Sequence, residues 1–113
     1  MFGVGDVINS PNAKTAAAAR KQIVVVANNL IASKELREMT TKYDGYGACP
    51  LTVEHGKVVL AEFGFGGRLL PTFPLNPPVA RRSSWFLKAV VMPWLYWNLM
   101  LKGIEWLAKP KQD

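Results

Sequence analysis

Apolar and polar positions fall into three blocks with different periods. In the first, Phe2-Gly3-Val4-Gly5-Asp6-Val7-Ile8 reads as the end of a strand running into a turn. So short a strand cannot form a sheet alone, so it reads as the last strand of a larger one. Asn9-Ser10-Pro11-Asn12 signals a turn and a helix start: Ser10 then Pro11 suits the N-cap and first helical position, and Asn12 competes as cap. Residues 13–33 then read as helix, with strong formers at 16–19 and no turn signal before Gln22-Ile23-Val24-Val25-Val26. That helix is nearly uncharged, as one packed against other protein would be.

The second block follows a polar connector at 34–41. Tyr43-Asp44-Gly45-Tyr46-Gly47 is turn-rich. Ala48-Cys49-Pro50-Leu51-Thr52-Val53 and Lys57-Val58-Val59-Leu60-Ala61-Glu62-Phe63 flank Glu54-His55-Gly56, a hairpin signal. Gly64-Phe65-Gly66-Gly67 is a further turn. Residues 68–74 suit a third strand, which Pro71 confines to an edge. Leu75-Asn76-Pro77-Pro78 is a stiff linker.

The third block, 81–109, has helical spacing, and Pro93 should divide it into two helices. Asn98, Lys102, Glu105 and Lys109 line up at i, i+4, i+7 and i+11 as one polar stripe. Arg81, Ser84 and Lys88 make a similar stripe before Pro93, and apolar or aromatic residues cover the rest. No clean run of about 18 apolar residues exists, so a spanning helix is not expected. A helical hairpin lying in a membrane interface fits the broad apolar face and basic edge.

Charge sharpens this picture. The chain carries 14 Lys and Arg against 8 Asp and Glu, a net +6, over 113 residues. Residues 1–80 hold eight basic and six acidic side chains, whereas residues 81–113 hold six and two, together with all four tryptophans. Basic residues that flank apolar runs point to an anionic membrane surface rather than nucleic acid. One cysteine, Cys49, excludes an internal disulfide, and with one histidine, His55, no zinc site or other metal site is expected. His55 reads as a solvated turn residue. The first residues lack the charged and apolar regions of a signal peptide.

Five stretches in order resemble one family. Gly5-Asp6 followed by Pro11-Asn12-Ala13-Lys14-Thr15 is similar to the second flavin-binding segment of flavoproteins with two dinucleotide-binding domains. Tyr43-Asp44-Gly45-Tyr46-Gly47-Ala48-Cys49-Pro50-Leu51 resembles the segment carrying the downstream redox cysteine of mitochondrial-type sulfide:quinone oxidoreductases. Leu60-Ala61-Glu62-Phe63, Pro71-Thr72-Phe73-Pro74 and Met92-Pro93-Trp94-Leu95-Tyr96-Trp97 fit the same family, the last as its membrane tail.

The resemblance implies an α+β piece of a two-domain α/β flavoprotein. Residues 1–41 would be the final strand and helix of the FAD-binding domain. Residues 42–80 would be a small antiparallel β unit with the redox cysteine, and 81–113 an amphipathic helical hairpin docking on a membrane. Gly5, Asp6, Lys14 and Thr15 would bind FAD, Lys14 adding charge to the helix start. Cys49 would be catalytic, pairing with a second cysteine that sulfide attacks. Trp94, Tyr96 and Trp97 would meet quinone or lipid.

The family's first Gly-rich loop and its upstream cysteine are not in these 113 residues. The expectation is therefore a C-terminal portion that neither retains FAD nor turns over alone, and that self-associates through surfaces its missing N-terminal part would cover. Sulfide, quinone and a bacterial or mitochondrial inner membrane are the implied partners. Two alternatives stand beside this reading. A type II NADH:quinone dehydrogenase shares the Gly-Asp segment and a tail but needs no redox cysteine. A non-catalytic membrane-surface module needs no chemistry.

Overall fold

The computed structural model describes residues 1–70, 79–104 and 111–112. The arrangement is α+β: an N-terminal helix, a two-stranded antiparallel hairpin and a C-terminal helix.

Helix α1 spans Ala16–Lys34. Thr15, rather than Ser10 or Asn12, caps it: its backbone is extended and its Oγ1 accepts from the Ala18 N–H at 3.2 Å. The helix ends in a reversed turn in which Leu36 N–H donates to Ser33 and Arg37 N–H to Ala32. Leu36 there adopts φ 55°, a left-handed conformation more usual for glycine.

The expected strand at 2–8 does not form. Gly5–Val7 is instead a single 3-10 turn, with extended backbone on either side at Val4 and Ile8. A strand needs a neighbour for its backbone groups, and among the described residues none lies alongside.

The hairpin matches its sequence signal. Strand β2 (Gly47–Glu54) pairs antiparallel with β3 (Lys57–Phe63) across a turn at His55 and Gly56, and Gly56 supplies φ 76°. Cys49 lies opposite Ala61, and Ala48 opposite Glu62. The third strand expected at 68–74 is reduced, among the described residues, to one bridge between Phe63 and Leu69; residues 71–74 lie outside the described set. A short strand β1 (Thr41–Lys42) pairs antiparallel with β4 (Lys111–Gln112). Asn29 on α1 holds β1 by donating to the Thr41 carbonyl and accepting from its N–H.

Pro93 does not divide the tail. Helix α2 (Arg82–Phe86) passes through a wide turn at Leu87–Val91 into α3 (Met92–Asn98) with helical backbone throughout. Proline lacks an N–H and its ring crowds the carbonyl four residues back. The chain widens just before it, Met92 N–H donating to Leu87 five residues back, so the crowded carbonyl is displaced. Within the described residues the tail is one helix rather than a hairpin. It stops at a 3-10 turn, Met100–Lys102, and at Gly103 with φ 75°. Glu105 and Lys109 of the expected polar stripe lie outside the described residues.

The core is thin. Among the described residues Val58, Ala18 and Ala32 are the buried apolar ones, and four polar ones, Asn12, Gln22, Thr41 and Glu62, are buried with them. The radius of gyration is 15.4 Å, against about 13 Å for a compact domain of this length. Ile23, Leu30 and Ile31 on α1 are each about half exposed, so the mostly uncharged face that the sequence assigns to packing against other protein is left open within the described residues.

Candidate functional site

The start of α1 and the strand carrying Cys49 meet at a point made by two small residues. Thr15 Oγ1 caps the helix and also accepts from the Ala48 N–H at 3.3 Å. Gly47 makes this approach close: a Cβ there would lie 3.2 Å from the Ala13 Cβ and carbonyl, and 3.3 Å from Thr15 Oγ1. A helix N-terminus carries unpaired N–H groups and partial positive charge. That end of α1 thus lies against the residue preceding Cys49. The thiol is free and half-buried.

The Gly5–Asp6 turn sits beside the same helix. Gly5 has φ 77° with open space where a side chain would stand, and its N–H donates to Gln22 Oε1 at 2.8 Å. Asp6 is exposed. Lys14 is turned onto the loop, its Nζ donating to the Ile8 carbonyl at 2.7 Å and the Ser10 carbonyl at 3.1 Å. The cation therefore closes the 8–10 loop over the helix start. Of the residues predicted for the cofactor, Thr15 contacts the Cys49 strand directly. Gly5 is tied to α1 through Gln22, and Lys14 organises the loop between them.

A polar network lies beneath the strand. Tyr46 O–H donates to the buried Glu62 carboxylate at 2.6 Å. Burial first, and this carboxylate second, raise the Tyr46 pKa well above the usual phenol range. Lys21 pairs with Asp44 at 3.1 Å and stands 4.4 Å from the centre of the Tyr46 ring. Asp44 also accepts from the Tyr46 N–H, and Tyr43 O–H donates to the Tyr46 carbonyl. Burial is the main cause that raises the Tyr43 pKa, opposed by a hydrogen bond with Gln22 and assisted by Asp44. Gly45 is buried with φ 79°, and a Cβ on it would meet the Phe65 ring at 2.5 Å. The Tyr-Asp-Gly-Tyr turn that leads into the Cys49 strand is thus fixed by charge, ring contacts and a glycine that no larger residue can replace.

Sequence reasoning missed four of these residues as parts of the site. Glu62 carries a carboxylate inside an apolar run, a signal that it finds a partner, whereas Gln22 follows Arg20-Lys21 and carries no such signal. Asn29 gave no such cue. Lys88 was read as one member of a polar stripe. In the fold its Nζ donates to the Pro50 carbonyl at 3.0 Å and to Thr52 Oγ1 at 2.6 Å, immediately past Cys49.

The tail helix presents a continuous exposed apolar face. Phe86, Val90, Trp97 and Leu101 recur at helical spacing and each is at least half exposed, with Trp94 and Tyr96 on the flanks. The Tyr96 and Trp97 rings meet edge to face at 5.2 Å. Exposed Arg82 and Lys102 stand near its two ends. None of Trp94, Tyr96 and Trp97 is brought to the Cys49 strand by a hydrogen bond or ring contact among the described residues. No helix among these residues is long and apolar enough to cross a membrane.

No protein-family model matches the chain. Curated relatives do. A mitochondrial sulfide:quinone oxidoreductase of Mus musculus is 40% identical over 103 residues, 91% of this chain and 23% of the relative. The proteins of the same name from Dictyostelium discoideum and Schizosaccharomyces pombe are 39% and 33% identical, over 96% and 94% of this chain and 24% of each relative. The chain spans about a quarter of the length of the relatives it matches.

Proposed function

Because the chain is of sulfide:quinone oxidoreductase type, similar along nearly its whole length to a C-terminal part of such proteins, we propose that it supplies the sulfur-handling cysteine, one wall of a flavin site and the membrane-docking surface of an enzyme oxidising sulfide to sulfane sulfur. The observation that carries this reading is the junction of Thr15, Gly47 and Ala48, which sets a helix N-terminus against the strand of Cys49.

The residues at the helix start fit one wall of a flavin site. Gly5 leaves room for backbone to approach a large group, Asp6 offers an exposed carboxylate for a ribityl or ribose hydroxyl, and Gln22 fixes the turn between them. Lys14 holds the loop over that edge. When bound, FAD would supply a two-electron acceptor. Its remaining contacts would come from the rest of the protein, so this chain alone retains little of it.

Cys49 would be one half of a disulfide whose other sulfur lies beyond these 113 residues. Attack by hydrosulfide on that bond forms one new S–S bond and breaks the old one. One cysteine is left as a persulfide and the other as a thiolate; passing the outer sulfur to a nucleophilic acceptor leaves a second thiolate, and re-forming the disulfide from the two thiolates releases two electrons, which FAD would accept when bound. Pro50, with no N–H and a fixed φ, keeps the backbone beside the sulfur from changing shape. The exposed aromatic face of the tail, with Arg82 and Lys102 near its ends, suits an anionic lipid surface and brings the protein to a membrane quinone.

The test is sulfide-dependent quinone reduction by the chain joined to its upstream part, with Cys49→Ser beside the parent. Cys49→Ser is expected to lose at least about 100-fold in rate while keeping flavin absorbance. Quinone reduction with NADH but not sulfide would instead identify a type II NADH dehydrogenase.

A further inference from the structure

The tail helix is fastened to both strands of the hairpin, by different means. Its entry pairs with β3: Arg81 and Val58 exchange both backbone hydrogen bonds, at 3.0 and 3.3 Å. One turn on, the Trp85 ring lies 5.4 Å from the His55 ring at the hairpin tip. The next turn brings Lys88 to β2, where its ammonium joins the Pro50 carbonyl to the Thr52 hydroxyl. Among the hydrogen bonds and ring contacts of the described residues, this last one reaches the strand of Cys49, and it grips the residues one and three positions past the thiol.

Lys88 projects from the helix face opposite the exposed apolar one. Phe86, Val90, Trp97 and Leu101 face outward, while Ser84, Lys88 and Leu95, half a turn away, are partly covered. The face open to docking and the grip on β2 therefore lie on opposite sides of one helix. A lysine cation bonded to a carbonyl and a hydroxyl is stronger than a neutral pair, yet a local opening breaks it more readily than a strand ladder.

We propose that Lys88 is a positioning residue that couples the tail helix to the Cys49 strand, so that seating the tail on a lipid surface sets how accessible the Cys49 sulfur is. The proposal rests on the reading of the tail as a membrane-docking surface. No reaction step is assigned to Lys88: it acts through the backbone of Pro50 and the side chain of Thr52.

The test uses the chain joined to its upstream part, reduced beforehand, and reads the alkylation of the peptide that carries Cys49, the one cysteine of these 113 residues. The alkylation rate with iodoacetamide is measured by mass spectrometry, with and without phosphatidylcholine vesicles containing phosphatidylglycerol. Vesicle binding is followed separately by sedimentation. In the parent, bound vesicles are expected to change the rate by about threefold or more through a shifted local opening equilibrium. In Lys88→Met, which keeps the stem and loses both bonds, sedimentation is unchanged and the vesicle effect on alkylation disappears. Thr52→Val, which removes one of the two acceptors at the surface of the hairpin, keeps part of it and guards against a Lys88→Met chain that misfolds.

A full vesicle effect in both variants overturns the coupling and leaves membrane docking standing. A parent that binds vesicles without any change in alkylation does the same. A parent that fails to sediment with vesicles overturns the docking reading and this proposal with it.

Discussion

At the scale of single residues, the Tyr46 hydroxyl is the most constrained titrating group on the strand side of the site. It donates to a carboxylate that is itself buried, and burial and that carboxylate both favour the neutral phenol. A pKa higher in the folded chain than in the unfolded one stabilises the fold fully below the unfolded value. That contribution is lost as pH rises beyond about 10. Urea midpoints measured between neutral and alkaline pH should therefore fall above pH 10 in the parent. Tyr46→Phe should show a shallower decline, not a flat one, because Tyr43 is raised too. At neutral pH Tyr46→Phe should cost about 1–3 kcal/mol, since the buried Glu62 loses one of its hydrogen bonds. Equal alkaline slopes in parent and variant would mean that the phenol is not held neutral by its setting.

At the scale of elements, the cap of α1 and the position of β2 depend on one side chain. Thr15 Oγ1 serves the Ala18 and Ala48 N–H groups together. Thr15→Ala should cost about 1–2 kcal/mol, more than a typical exposed cap because a second donor is stranded. Thr15→Ser should recover most of it. Chemical denaturation measures the cost, and hydrogen exchange at the Ala48 amide, faster in Thr15→Ala than in Thr15→Ser, separates the strand contact from simple capping.

The hairpin was legible because β-branched runs around His55-Gly56 carry their own turn chemistry. The cap was less so, since Ser10, Asn12 and Thr15 are all competent and only the approach of β2 selects Thr15. Pro93 was misread because the local rule treats an α-helix as rigid, whereas a wide turn at Leu87–Val91 absorbs the proline.

At the scale of the whole molecule, three buried apolar residues beside a long row of exposed ones, counted among the described residues, make a smaller interior than an independent domain needs. Ile23, Leu30 and Ile31 on α1 and the Phe86–Leu101 face of the tail are separate apolar surfaces. Static light scattering should report association in plain buffer, and detergent should reduce it; a monomer at all concentrations in plain buffer would contradict this. Vesicles should blue-shift tryptophan emission as the tail seats, and Trp97→Ser should weaken binding by about tenfold, the effect of removing one large exposed anchor.

The hairpin, the long N-terminal helix, the aromatic tail and the family likeness were present in sequence, because each rests on local periodicity, turn chemistry or an ordered set of short motifs. What sits beside Cys49 was decided by tertiary structure alone. Thr15 and Lys88 come from elements far along the chain on either side of Cys49, and no spacing records that both reach its strand. The same holds for the N-terminal segment: its extended residues carry a strand pattern, but a strand exists only where a neighbour pairs its backbone groups, and pairing is a property of the fold.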